Sequence, residues 1–217
     1  MEAANPDRIL LVDKPYEWTS FDVVNKIRYR LKMKKVGHAG TLDPLATGLL
    51  IICTGKMTKR IDEFMGLEKE YTGTIVVGQT TPSHDLETEV SDPADISALT
   101  EPLITKTASG FVGRISQMPP LHSAIKIGGK RAYEFARKGK DMKLEPREVE
   151  ISEFEITGVR LPEFTFRIIC SKGTYIRSIA RDFGEALGVG AYLSQLCRTR
   201  IGPYKLEDAV TIDQITA

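Results

Sequence analysis

The stretch Gly37-His38-Ala39-Gly40-Thr41-Leu42-Asp43-Pro44-Leu45-Ala46-Thr47-Gly48 decides how the rest of the chain is read. It joins a flexible entry to one ionisable acid and a rigid exit. Gly37 and Gly40 let the backbone come close to a ligand. Pro44 biases Asp43 away from helical geometry into an extended or turn conformation, which holds the carboxylate on a defined loop. Leu49-Leu50-Ile51-Ile52-Cys53 follows, a continuous apolar run of strand length that anchors the far side of the loop in a core.

Upstream of the loop, residues 8–12 predict a buried strand ended by Asp13-Lys14-Pro15, so Lys14 sits at a strand end. Thr19 or Ser20 caps a helix, with Asp22 completing a near capping box after Thr19. Val23, Val24, Ile27 and Leu31 share one face of that helix, which leaves Lys26, Arg28 and Arg30 largely on the others. Downstream, Thr54-Gly55-Lys56-Met57 resembles a phosphate-binding loop only superficially. Leu50 replaces its first glycine and Met57 its magnesium-binding hydroxyl.

The remaining pattern predicts a helix from about Thr58 to Met65, a strand over 71–77 beginning at Tyr71, and an acidic loop over 80–98. A helix from Thr100 to Ser109 follows, then strands at 113–118 and 122–127, a Gly128-Gly129 turn and a short helix over 131–138. Residues 147–156 and 163–171 alternate as an antiparallel strand pair. At Lys172-Gly173-Thr174-Tyr175-Ile176-Arg177 the period changes to a helix closed by Gly188, with Tyr175 and Arg177 at its first turn. An arginine at a helix start is by default a solvated side chain.

A chain of 217 residues buries one sizeable core or two small ones, and its composition of 41% hydrophobic and 27% charged residues is that of a soluble globular protein. No apolar run reaches bilayer length, and the first residues carry no secretion signal, so a cytosolic location is expected. Cys53, Cys170 and Cys197 are expected as reduced core thiols. The net charge of +1 conceals polarisation. Lys26, Arg28, Arg30, Lys32, Lys34 and Lys35 form a run without an acid, and residues 126–147 carry eight basic against three acidic side chains. Asp85, Glu87, Glu89, Asp92, Asp95 and Glu101 form the opposite run, a polarity suited to a polyanion. His38, His84 and His122 lie in different segments with no metal-ligand spacing, and no serine-hydrolase elbow is present. The candidate chemistry is one carboxylate with aromatic and cationic neighbours.

Leu11-Val12-Asp13-Lys14-Pro15, the whole Gly37–Gly48 stretch, Lys69-Glu70-Tyr71, Gln117-Met118-Pro119-Pro120 with Ser123-Ala124, and Ser171–Arg177 together resemble, in order and spacing, the bacterial tRNA pseudouridine-55 synthases, the TruB family. The resemblance implies a pseudouridine synthase fold: one α/β catalytic domain over 1–217, with a mixed, largely antiparallel sheet flanked by helices and a central cleft. It makes Asp43 the catalytic nucleophile, Tyr71 the aromatic that stacks on the target base, and Arg177 the cation that pairs with the carboxylate. Tyr175 and Leu196 would line the uridine pocket, His38 would occupy the T-loop where bases have been pulled out, and Lys14 would be a basic residue behind the loop.

The reaction implied breaks the N1 glycosidic bond, rotates the uracil in place and makes a C5 glycosidic bond, without cofactor or metal. Whether Asp43 adds to sugar or base, or removes a sugar proton, stays open. The partner implied is the T-arm stem-loop of tRNA, bound by a monomer without membrane or obligate protein partner. A non-catalytic tRNA-binding or folding protein and a guide-dependent synthase are the alternatives. Two departures stand out: Glu17 occupies a position where the family usually has glycine, and a C-terminal PUA domain is not expected after Ala217.

Overall fold

The apolar run beyond the Asp43 loop extends into a nine-residue strand, β3 (Ala46–Thr54), buried continuously from Gly48 onwards. The computed structural model describes residues 7–120, 126–127, 130–131 and 144–216. The chain forms two compact units, Met1–Thr72 with Gln195–Ala217, and Gly73–Ser194.

In the first unit β3 pairs antiparallel with β1 (Ile9–Lys14), so that Ile9 faces Cys53 and Lys14 faces Gly48. On its other edge the end of β3 pairs antiparallel with β2 (Val36–Ala39), while its start pairs in parallel with β10 (Ala191–Ile201) through Leu196–Ala46, Cys197–Thr47 and Arg198–Gly48. Gly48 is required there, because its φ is 98° and an added Cβ would lie 2.4 Å from the Arg198 carbonyl oxygen. The Leu49–Cys53 run of β3 is continuously apolar because both of its faces are covered. Leu50 and Ile52 pack with Val23, Val24 and Ile27 of α1 (Ser20–Arg30), whereas Leu49, Ile51 and Cys53 pack on the opposite side with Phe64 of α2 (Ile61–Gly66). Each such side chain taken from water contributes about 1.5–3 kcal/mol. α1 starts where the local pattern places it: the Thr19 side chain accepts from the Asp22 amide and the Asp22 side chain from the Thr19 amide.

In the second unit β8 (Arg147–Arg160) pairs antiparallel with β5 (Gly113–Gln117) on one edge and with β9 (Glu163–Cys170) on the other. The part of β4 (Lys69–Val77) from Gly73 onwards continues this sheet beside β9. α3 (Glu101–Ser109) and α4 (Ile176–Leu187) cover it. Phe183 of α4 lies with its ring centroid 4.9 Å from that of Phe164 and 5.7 Å from those of Phe111 and Phe154, and this aromatic cluster is the core. The described registers are thus antiparallel except β3–β10, giving a mixed, largely antiparallel α/β fold.

The expected helix over 58–65 is divided: a 3-10 turn spans Gly55–Arg60 before α2. Thr58 Oγ1 donates to the Gly55 carbonyl at 2.8 Å, a local bond that competes with the α-helical ladder. Local pattern marks no element over 191–201, yet β10 is there. Ser194, Gln195, Arg198 and Arg200 interrupt its apolar alternation. Residues 122–125 of the expected second strand, the Gly128-Gly129 turn, residues 132–138 of the expected helix, His122, Ser123-Ala124 and most of the second basic run lie outside the described residues, while Arg131, expected to begin that helix, lies in a strand. Of that region the backbones of β6 (Lys126–Ile127) and β7 (Lys130–Arg131) are described, and they pair antiparallel. Among the described residues no helix is long and apolar enough to cross a membrane.

Candidate active site

Asp43 sits on the connection between β2 and β3, and its backbone oxygen accepts from the Ala46 amide at 3.1 Å. That closes a turn with Pro44 at its second position, where the fixed φ of proline belongs. The residue before the acid is tied to α1: the Leu42 amide donates to Ser20 Oγ at 2.8 Å, and the same hydroxyl donates to the Leu42 carbonyl at 3.1 Å. Asp43 therefore projects from a loop held on both sides.

Two buried cations hold this loop from within. Lys14 is fully buried at the end of β1, and its ammonium donates to the carbonyls of Pro15 at 2.8 Å, Trp18 at 2.6 Å and Pro44 at 3.2 Å. All three of its hydrogens are thereby used. Arg198, on β10, is 1% exposed and donates through Nε to the Leu49 carbonyl at 2.8 Å and through Nη2 to the Gly40 carbonyl at 3.2 Å. The loop carbonyls of Gly40 and Pro44 and the Leu49 carbonyl in β3 thus all accept from buried positive charge. Burial pushes the Lys14 pKa from 10.5 down to about 8; the Asp43 charge opposes this shift and the Arg198 charge adds to it. Burying two cations costs several kcal/mol each before compensation, so their placement beneath one carboxylate loop points to a site rather than to packing.

Pairing of β1, β3 and β10 brings Lys14, the Asp43 loop and Leu196 together. Leu196 faces Ala46, and its carbonyl accepts from Thr47 Oγ1 at 3.4 Å. His38 lies on β2 opposite Ile52, half-buried, just before the loop begins. Tyr71 belongs to the same unit, near the start of β4, and is buried.

Tyr175 and Arg177 belong to the second unit. Tyr175 precedes the first turn of α4; its amide donates to Gln117 Oε1 at 2.8 Å and its carbonyl accepts from Gln117 Nε2 at 3.1 Å. Gln117 is almost fully buried, so this paired amide bridge locks the helix start. Arg177 is 3% exposed and not solvated, contrary to the default for a helix-start arginine. Its Nε lies 3.5 Å from Asp85 Oδ2, and Nη1 donates to the Ser83 carbonyl at 3.2 Å. Asp85 is in turn oriented, with Oδ1 accepting from the Glu87 amide at 3.0 Å and its backbone oxygen accepting from Thr81 Oγ1 at 2.6 Å.

Asp85, Gln117 and Arg198 are therefore the residues that motif reading left without a role. Gln117 stands in a quoted motif. Asp85 is one acid in a run of exposed acids, and Arg198 one cation in an irregular strand; nothing local separates either from its neighbours. Among the described residues no group of three or more His, Cys, Asp or Glu side chains is placed to hold a metal.

Comparison with known proteins places the chain among relatives. The family description "TruB family pseudouridylate synthase (N terminal domain)" matches residues 28–176, and "tRNA pseudouridylate synthase B C-terminal domain" matches residues 177–217. The chain is 53% identical over 212 residues to a tRNA pseudouridine synthase B of Flavobacterium johnsoniae, covering 94% of this chain and 93% of that one. It is 53% identical over 211 residues to a tRNA pseudouridine synthase B of Phocaeicola vulgatus, covering 94% and 90%. Among solved structures, a chain of a Cbf5-Nop10-Gar1 complex superposes with a TM-score of 0.73 at 31% identity, over 94% of this chain; the present chain spans about half, 53%, of that one.

Proposed function

The chain belongs to the TruB family of pseudouridylate synthases, and from that premise we propose that it isomerises a uridine in the T-arm stem-loop of tRNA to pseudouridine, with Asp43 as the nucleophile. It is an isomerase acting on tRNA. The observation that carries the residue assignment is the Asp43 loop, whose carbonyls at 40 and 44, with that of Leu49 in the following strand, are clasped by Lys14 and Arg198. Such preorganisation holds a nucleophile in near-attack geometry without reorganisation at the moment of reaction.

The isomerisation conserves atoms: the C1′–N1 bond breaks, the uracil turns, the C1′–C5 bond forms, and the proton lost from C5 is balanced by one gained at N1. A detached base must be retained throughout. Tyr71 serves as the platform on which the flipped base recovers part of its lost stacking, with Leu196 and Tyr175 as apolar lining and His38 filling space vacated in the loop. Arg177 contributes a buried cation to the site, and Asp85 fixes the guanidinium's orientation. The protein acts as a monomer on tRNA in the cytoplasm, needing neither cofactor nor protein partner. Relatives at 53% identity over nearly their whole length that carry the name tRNA pseudouridine synthase B support this reading over a guide-dependent one.

The test is incubation of the purified protein alone with an unmodified tRNA transcript, followed by pseudouridine mapping at nucleotide resolution. One stoichiometric pseudouridine in the T-loop is expected. Product that depends on an added guide RNA, or tight binding with no product at all, would overturn the proposal.

A further inference from the structure

Only one side of α1 is used by the fold. Val23, Val24 and Ile27 enter the core, but the other side carries side chains that core packing does not explain. Among the described residues, the exposed large aromatics are Tyr16 at 50%, Phe21 at 58% and Tyr29 at 85%, all within α1 or the loop before it. Cations lie between and beyond them: Lys26, Lys32, Lys34 and Lys35 are exposed. The Arg28 guanidinium stands 5.8 Å from the Phe21 ring centroid and is fixed by donating to the Val36 carbonyl at 2.8 Å.

A shallow, open depression lies beside this face, lined by Glu17, Trp18, Asp22, Asn25, Lys26 and Tyr29. Glu17 holds a left-handed φ of 64°, a conformation that costs a non-glycine residue energy and that tends to persist at functional surfaces. The helix that carries this face is also tied to the Asp43 loop from its buried side, because Ser20 at the start of α1 makes both hydrogen bonds to Leu42.

Exposed aromatic rings alternating with cations, and no acid from 26 to 35, match the chemistry of unpaired nucleotides: rings accept base faces and ammonium groups accept phosphates. Building on the tRNA-modifying function above, we propose that the outer face of α1 is a second RNA-contact surface, where Phe21 and Tyr29 stack unpaired nucleotides of the substrate outside the target-uridine pocket. The depression beside Trp18 receives one base, and Lys26 holds its phosphate. A base-flipping enzyme leaves neighbouring nucleotides unstacked, and this surface gives them a place to go.

Trp18 is the sole tryptophan, so its fluorescence reports directly on the depression. The wild-type protein and a Phe21→Leu/Tyr29→Leu variant, which keeps apolar bulk but removes the rings, are titrated with three probes: a single-stranded oligoadenylate, an RNA duplex with the same number of phosphates, and unmodified tRNA. The single strand should quench wild-type Trp18 and bind more tightly than the duplex. In the variant, affinity for the single strand and for tRNA should fall about tenfold for each ring removed. The single-turnover rate at saturating tRNA should change far less than affinity. Equal binding of duplex and single strand would reduce the face to charge alone and overturn the proposal, as would a variant that binds both RNAs like the wild type. A variant with an altered circular dichroism spectrum is replaced by Tyr29→Leu alone. Absence of pseudouridine in wild-type reactions, with quenching intact, would count against the enzymatic function and not against this surface.

Discussion

Arg198→Lys isolates what the buried guanidinium does for the Asp43 loop. Arginine spans two carbonyls, Leu49 at 2.8 Å and Gly40 at 3.2 Å, and so bridges the two ends of the loop. An ammonium keeps the charge but reaches only one of them. Losing one charge-assisted hydrogen bond costs about 1.5–3 kcal/mol. At roughly 2–4 °C per kcal/mol for a chain of this length, the melting temperature should fall by about 3–12 °C. The catalytic effect should be larger, since displacing a reacting group by about 1 Å costs on the order of 100-fold. Single-turnover pseudouridine formation should therefore drop about 10- to 100-fold, while the Kd for tRNA, set mainly by phosphate contacts, stays within about threefold. Hydrogen exchange adds a local readout: amides from 41 to 47 should lose protection while β1 and the end of β3 keep theirs. A melting temperature within about 1 °C of wild type together with a rate within about twofold would refute the clasp.

Asp43→Asn should abolish turnover while tRNA affinity remains within about tenfold, and measurable product from a pure preparation would sink the nucleophile assignment. Asp85→Asn removes the carboxylate charge 3.5 Å from the buried Arg177 guanidinium, and should lower the single-turnover rate at least about tenfold; a normal rate would show Asp85 to be architectural only. For Lys14 the folded pKa of about 8 lies below its ordinary 10.5, so between these values the unfolded chain binds more protons and stability rises with pH. The unfolding free energy of wild type minus that of Lys14→Met should accordingly rise from pH 8 to pH 10.5 by at most about 3 kcal/mol, and a flat or falling difference would contradict a depressed lysine. Activity on a prefolded T-arm stem-loop should survive a chelator, and loss restored by one divalent metal would contradict the cofactor-free chemistry.

The elements legible in advance are those specified by neighbours in the chain. Thr19 and Asp22 form their reciprocal cap three residues apart, Gly188 ends α4 with a φ of 74°, and the alternation over 163–171 becomes β9 packed on β8. The turn at Asp43 likewise follows from Pro44, and the motif set leads to the family. Each is a short-range preference, of steric or hydrogen-bonding origin, that survives folding because the tertiary structure agrees with it.

The support of the candidate site is of another kind. Arg198 reaches Leu49 across 149 residues of chain, and Arg177 reaches Ser83 across 94. Apolar periodicity reports which side chains leave water, but a buried cation has the same letter as a solvated one. Its burial is tolerable only where carbonyls or a carboxylate converge on it. That convergence at Lys14 and Arg198 depends on the pairing of β1, β3 and β10, and at Arg177 on the path of the 81–85 segment. Local residues therefore encode the loop that carries Asp43, and long-range strand pairing supplies the charges that hold it.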